Sequence, residues 1–334
     1  MKLRSVISLL NKIAPPYLAA AWDTQIGLQL GDKDQEISKV LVCLDIDAAI
    51  IDQAIAEKAD LIVAHHALIW KPVTAITAST PVGQNIKKLL TNNIAVFVMH
   101  TNLDCAIDGV NWTLARAEGL DPALCDVIEP TFTERLCKFV VFTPPEAVAK
   151  VHEAIAAIDA GHIGNYSECT FRMQGEGTFK PLAGTKPYTG TQDVLEKANE
   201  VRIETIIQEN RVGDLLSTVR NVHPYEEMAY DIYPLNNKGR VFGLGLIGKP
   251  LKELVINGQK IKKLAVCGGS AGSLIAKAKE KGADAFIIGE TGYHDQLLAK
   301  DLGLTLIMKG HYETEVLVVP VVKAKLQENG VSVI

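Results

Sequence analysis

A chain of 334 residues has room for two or three domains and a sizeable core. Its 48% apolar and 22% charged residues match ordinary globular composition and leave no place for a disordered or fibrous chain. The net charge of −5 argues against a nucleic-acid-binding surface, since neutralising phosphates takes a basic patch.

The opening stretch MKLRSVISLLNKIAPPYLAAAW imitates a signal peptide only briefly, because Asn11-Lys12 and Pro15-Pro16 cut its apolar run. No stretch approaches the ~20 apolar residues of a membrane-spanning helix. The six cysteines are scattered without a CxxC pair and read as isolated thiols in a reducing compartment. Together these features predict a cytoplasmic protein with no membrane partner.

KVLVCLDID (39–47) reads as a strand and AAIIDQAIAEKA (48–59) as a helix. DLIVAHHALIW (60–70) and IAVFVMHTNLD (94–104) each begin as further strands. Short β-rich runs joined by helices of this length predict parallel βαβ units. From about 128 the texture changes. KFVVFTPP (138–145) is a strand whose prolines can open the helix EAVAKVHEAIAAID (146–159). A glycine- and polar-rich stretch follows, containing GHIGNY (161–166) and GEGTFKPLAGTKPYTG (175–190). VRIETIIQ (201–208) is strand-like, VGDLLSTVRNVH (212–223) helical, and PYEEMAYDIYPL (224–235) closes the segment with a strand. A β-α-β-β-α-β order suits a ferredoxin-like α+β unit. After 240 the first texture returns in KKLAVCGGSAGSLIAKAKEKGADAFIIGE (262–290) and LTLIMKGHYETEVLVVPVVKAKL (304–326). The expectation is one discontinuous α/β domain, 1–127 with 240–334, interrupted by an insert at 128–239.

Chemistry gathers in the outer halves. His65 and His66 end one predicted strand, His100 ends another with Asp104 four residues on, and His294 follows a third. His311 follows the run LTLIMKG, with Glu315 four residues further and on the same helical face. Open parallel sheets place their sites beyond the carboxyl ends of strands. Adjacent His65 and His66 point apart on a regular strand, so at a strand end they suit two ions, one each. A carboxylate such as Asp104 or Glu315 has two oxygens and can bridge ions. Histidine with carboxylate suits Zn, Fe, Mn or Ni better than Ca or Mg. GGSAG (268–272) could cradle a phosphate, but it lacks the P-loop ending and the dinucleotide spacing, and a tight strand–helix turn is the preferred reading.

WDTQIGLQLGD (22–32), AHHALIW (64–70), HTNLDCAIDGVN (100–111), GETGYHDQ (289–296) and GHYETE (310–315) occur in order. Together they resemble the signature segments of the Nif-three-like family, the GTP cyclohydrolase I type 2 homologues. GEGTFKP (175–181) and HPYEEMAYDIYPL (223–235) resemble the insert of its longer bacterial members, which is similar to PII and CutA proteins. The resemblance implies two divalent metal ions held by His65, His66, Asp104, His311 and Glu315, with His100 and His294 lining the same cavity. It also implies a homo-oligomer, a hexameric ring or cage. Family members often carry aspartate where this chain has Glu290, which predicts altered hydrogen bonding around a ligand.

Two readings of function remain. One is a metal-dependent hydrolase acting on a nucleotide such as GTP, with His294 or His100 as general acid–base. The other is a non-catalytic metal carrier or regulatory assembly whose insert sets oligomerisation or binds an effector.

Overall fold

Strands Lys39–Cys43, Leu61–Ala64 and Ala95–Val98 pair in parallel register, Val40 with Leu61 and Leu61 with Ala95. They are apolar on both faces because helices cover both faces. On one face Val40, Val42, Leu61, Val63, Ala95 and Phe97 meet helices Leu3–Ile13 and Val318–Glu328. On the other, Leu41, Cys43, Ile62, Ala64, Val96 and Val98 meet helices Ala48–Ala56 and Pro81–Thr91. Each fully buried leucine or isoleucine there contributes about 1.5–3 kcal/mol. Two short edge strands complete this sheet, Gly27–Leu30 antiparallel to Ala95–Val98 and Ser332–Val333 parallel to Lys39–Cys43. Helix starts are locally encoded. The Asp47 side chain accepts from Ile50 N, and the Thr80 side chain accepts from Gly83 N with Pro81 at the first helical position.

A second five-stranded sheet has the order Thr305–Met308, Ala285–Glu290, Leu264–Ser270, Val241–Gly248, Asp126–Thr133. Its first three strands are parallel. Phe286 and Ile288 pack with Ile275 and Ala278 of helix Ile275–Glu280, while Leu264, Val266 and Ile287 pack with Leu114 and Ala115 of helix Val110–Ala117. The segment after Gly310 forms two helices, His311–Glu315 and Val318–Glu328. Pro320 lies in the first turn of the second helix, where its missing N–H has no intrahelical partner to lose.

The computed structural model describes the whole chain, Met1–Ile334, as a mixed α/β fold with several sheets. It divides into two units, Met1–Phe132 with Val241–Ile334, and Thr133–Arg240. Strand Asp126–Thr133 runs through position 127, so the change of unit comes at its end.

The second unit runs β-α-β-β-α-β. Its antiparallel sheet has the order Thr170–Phe179, Glu196–Gln208, Leu136–Thr143, Tyr230–Leu235. Phe139, Val141, Val201, Ile203 and Ile207 pack with Val151, Ile155, Leu215 and Val219 of helices Val148–Ala157 and Val212–Arg220. No helix of the chain is long and apolar enough to cross a membrane.

Candidate metal centre

In the larger unit the carboxyl ends of both sheets converge. His65 and His66 leave strand Leu61–Ala64, and His100 is the cap of helix Thr101–Cys105, which carries Asp104. His311 and Glu315 open and close the short helix after strand Thr305–Met308. Glu315, 4% exposed, is the hub. Its Oε2 lies 3.1 Å from His66 Nε2, 3.2 Å from His311 Nε2 and 3.7 Å from His65 Nε2. Asp104 Oδ1 is 3.7 Å from the same His65 Nε2.

The outer nitrogen of each ring is tied to oxygen. His65 Nδ1 donates to the Met99 carbonyl at 2.9 Å, His66 Nδ1 to Asp45 Oδ1 at 2.8 Å, and His311 Nδ1 to Glu290 Oε1 at 3.0 Å. A neutral imidazole that donates through Nδ1 carries its lone pair on Nε2, so in their neutral, metal-binding form the three rings aim their lone pairs at one carboxylate oxygen. His66 Nε2 and His311 Nε2 are only 3.3 Å apart. Three of the six buried side-chain atoms without a hydrogen-bond partner meet in this cluster: His65 Nε2, Asp104 Oδ1 and Glu315 Oε2. Orphaned buried acceptors cost about 1–3 kcal/mol each. A cation between them would remove that cost, and imidazole with carboxylate is a donor set that fits a divalent transition metal. Two groups able to hold an ion share Glu315, namely His65–Asp104–Glu315 and His66–His311–Glu315, and a third joins His65, His66 and His100.

Protonation follows the same crowding. Burial alone would lower the pKa of His65, but Glu315 and Asp104 outweigh it and push it up to about 9. Glu315, aided by Glu290, pushes His311 up to about 9 as well. Burial, with the nearby charge of Glu315, lifts Asp104 to about 6 despite the opposing His65. Glu315 itself stays far below the usual carboxylate range, since the three histidines overcome its burial. Without metal, protons supply the positive charge that the carboxylates demand.

His100 belongs to a different network. Its Nδ1 donates to Asp23 Oδ2 at 2.8 Å, and Thr101 donates to the same oxygen through N at 3.0 Å and Oγ1 at 2.6 Å. Burial would raise the Asp23 pKa, but these three donors hold the carboxyl well below its ordinary value. His100 is thereby oriented with Nε2 free. Its ring lies 5.2 Å from that of His65 and edge-on to Trp70 at 5.1 Å. His66, His100, His311, Asp45, Trp70 and Tyr312 line a cavity of about 520 Å³ beside the cluster.

The structure thus brings together His65, His66, Asp104, His311 and Glu315, with His100 adjoining. It does not bring His294 there. That residue is exposed on the first turn of helix Tyr293–Asp301, with its ring against Tyr293. A strand end placed His294 in the right neighbourhood, but it lies four residues beyond Glu290, on the exposed side of the next helix. Nor does GGSAG cradle an anion. Gly268 N donates to Asn111 Oδ1 and Gly269 N to Thr314 Oγ1. Gly269 sits at a break in strand register with φ +63°, and a Cβ there would collide with the Glu315 carboxylate. Its lack of a side chain makes room for Glu315. Asp23 and Asp45 are the anchors that sequence reasoning passed over. Their only signals are the motif WDTQIGLQLGD for the first and a strand-end position for the second.

Comparison with known proteins identifies the family. The model of the Duf34/NIF3 (NGG1p interacting factor 3) family matches residues 1–334. The chain belongs to the Duf34/NIF3 family. It is 38% identical to a GTP cyclohydrolase 1 type 2 homolog of Halalkalibacterium halodurans, over 97% of this chain and 92% of that one. The homolog of the same name from Bacillus subtilis is also 38% identical, over 94% and 89%. A Bacillus cereus protein related to NIF3 superposes with a TM-score of 0.90 at 37% identity, covering 100% of this chain and 96% of that one. Membership in the Duf34/NIF3 family is what the five ordered motifs predicted.

Proposed function

We propose that the chain is a dinuclear metal protein acting as a metal-dependent hydrolase on a nucleotide. The observation that carries the reading is the pair of ligand groups sharing Glu315, with buried, partnerless donor atoms facing one another. His65, Asp104 and Glu315 would hold one ion, and His66, His311 and Glu315 the other. When bound, divalent ions supply Lewis acidity, polarising a substrate oxygen or nitrogen and making water more acidic.

The chain's own residues supply the rest. His100 Nε2 faces the cavity and is the group to take a proton from the attacking water and return it to the leaving group. Asp23 keeps the ring in the tautomer that leaves Nε2 free. Trp70, 46% exposed at the cavity wall, offers an aromatic face on which a purine can stack. The GTP cyclohydrolase name of the relatives supports a guanine nucleotide as the first substrate to try.

The same reading takes the smaller unit as the ferredoxin-like, PII/CutA-like insert. It takes the assembly as a homo-hexamer, consistent with exposed Tyr293, Leu297 and Leu298 on one helix; sedimentation analysis tests that part. For the centre itself, the test is elemental analysis of the chain beside a His66→Ala, His311→Ala double variant. About two transition-metal equivalents per chain are expected, falling to about one in the variant, which removes two ligands of one ion and leaves His65, Asp104 and Glu315 in place. Metal-loaded protein should then release formate or phosphate from a nucleotide, and His100→Ala should keep its metal while losing turnover. Absence of metal even after reconstitution would refute the reading.

A further inference from the structure

Two stretches singled out in the sequence, GEGTFKPLAGTKPYTG and HPYEEMAYDIYPL, meet in the smaller unit around a cavity of about 430 Å³. That size is within the roughly 300–1,000 Å³ of small-molecule sites. The cavity is lined by the end of strand Thr170–Phe179, the loop after it, Glu200 on the next strand and the loop leading to Tyr230–Leu235.

Its walls are fixed by cross-links between these segments. Tyr188 Oη donates to Glu146 Oε1 at 3.0 Å, and Lys186 N donates to Glu226 Oε2 at 2.7 Å, which ties one loop to the other. His223 Nε2 donates to the Phe142 carbonyl at 3.0 Å while its Nδ1 accepts from Tyr225 N at 3.2 Å. That pattern admits only the neutral ring, and it sets the position of Tyr225. The Tyr188 and Tyr225 rings stand 5.8 Å apart at 46°, an open corner with Phe179 nearby on the wall. Burial and the neighbouring Glu200 keep the Tyr225 phenol un-ionised.

The charge on this wall has one predominant sign. Glu200, Glu226 and Glu227 face the cavity against the single ammonium of Lys180. Glu227 is exposed and makes no hydrogen bond or ion pair, so its charge is uncommitted. Carboxylates beside aromatic faces repel anions and favour a cation that also carries an apolar body. We propose that this cavity binds a small organic cation, a protonated amine on an apolar body, seated between Tyr188 and Tyr225 with its charge toward Glu200 and Glu227. The site is separate from the histidine cluster and makes the inserted unit a receptor for a ligand of opposite charge to a nucleotide.

The test uses 2-phenylethylamine, 2-phenylethanol and phenylacetate, which share a body and differ in charge, with ligand-observed NMR on the full chain. The amine should bind about tenfold more tightly than the alcohol, and phenylacetate should not bind. Glu227→Gln, which removes no protein contact, and Glu200→Gln should each weaken the amine about tenfold and leave the alcohol unchanged. Thermal melts of both variants separate lost binding from lost folding. The His66→Ala, His311→Ala variant should bind the amine as the parent does. Equal binding of amine and alcohol, amine binding untouched by both glutamate variants, loss of binding in the histidine variant, or no binding at millimolar concentration would each overturn the proposal.

Discussion

His65 and His223 are both buried, at 2% and 8% exposure, one in each unit, and both have a ring nitrogen on a backbone carbonyl. They part at the second nitrogen. In His223 it accepts from Tyr225 N, so the ring is fully paired, and burial holds its pKa below the ordinary value. In His65 it faces Asp104 Oδ1 and Glu315 Oε2 with no hydrogen bond, and those carboxylates drive its pKa the other way. Burial alone therefore does not mark a functional histidine. A buried ring that the fold pairs completely is structural, whereas one left facing unpaired carboxylates is built to receive something.

The sharpest way to break that contrast is Glu315→Gln. It removes the carboxylate common to both ligand groups, and metal affinity should fall by more than about a hundredfold, beyond what loss of an outer partner costs. Elemental analysis that still finds the parent's metal content would end the comparison. Acidity provides the next test. With His65 and His311 pushed up to about 9, each holds a proton near neutrality that a divalent ion must displace. Metal affinity should rise with pH up to about pH 9, by up to about tenfold per unit for each proton released, as read by chelator competition. His223 has the opposite sign. Its folded pKa lies below the unfolded one, so its contribution to stability is complete above the ordinary histidine pKa and is lost as pH falls through the folded value. Melting of the smaller unit should accordingly weaken in acid.

Glu290→Gln sharpens the comparison at one ring. It weakens the acceptor at His311 Nδ1 while leaving every ligand atom in place, and should cost about ten- to a hundredfold in affinity for one ion only. Two-step metal titration would show a single step moved. The smallest effect belongs to His223→Leu. It leaves the Phe142 carbonyl and Tyr225 N unpaired, which should cost about 1–3 kcal/mol in chemical denaturation with metal content unchanged.

The central parallel strands and their terminal histidines were legible because each is a short, wholly apolar run that stops at a polar residue. The i,i+4 pair His311 and Glu315 was legible for the regularity of a helix face. Edge strands were not. Gly27–Leu30 has four half-buried residues, and Ser332–Val333 is too short to carry a period. The strand Thr170–Phe179 hid inside the glycine- and polar-rich stretch, since most of its residues are exposed, none is buried, and no core face imposes alternation. Asp23 was illegible because its meaning lies in a hydrogen bond to a residue 77 positions away. His294 misled because nearness to a strand end fixes where a backbone is, not which side of the next helix a side chain occupies.

The histidine cluster draws His66 and His311 to one carboxylate across 245 positions of chain, with the whole Thr133–Arg240 unit between them. On a ribosome, His65, His66 and Asp104 emerge long before His311 and Glu315 are made, and for that interval they form half a site with no hub. Assembly of the Glu315-centred cluster is therefore a late event in the life of each nascent chain. A truncated product that stops after the inserted unit would carry His65, His66, His100 and Asp104 without His311 or Glu315, so the Glu315-centred cluster is completed only by the last part of the chain.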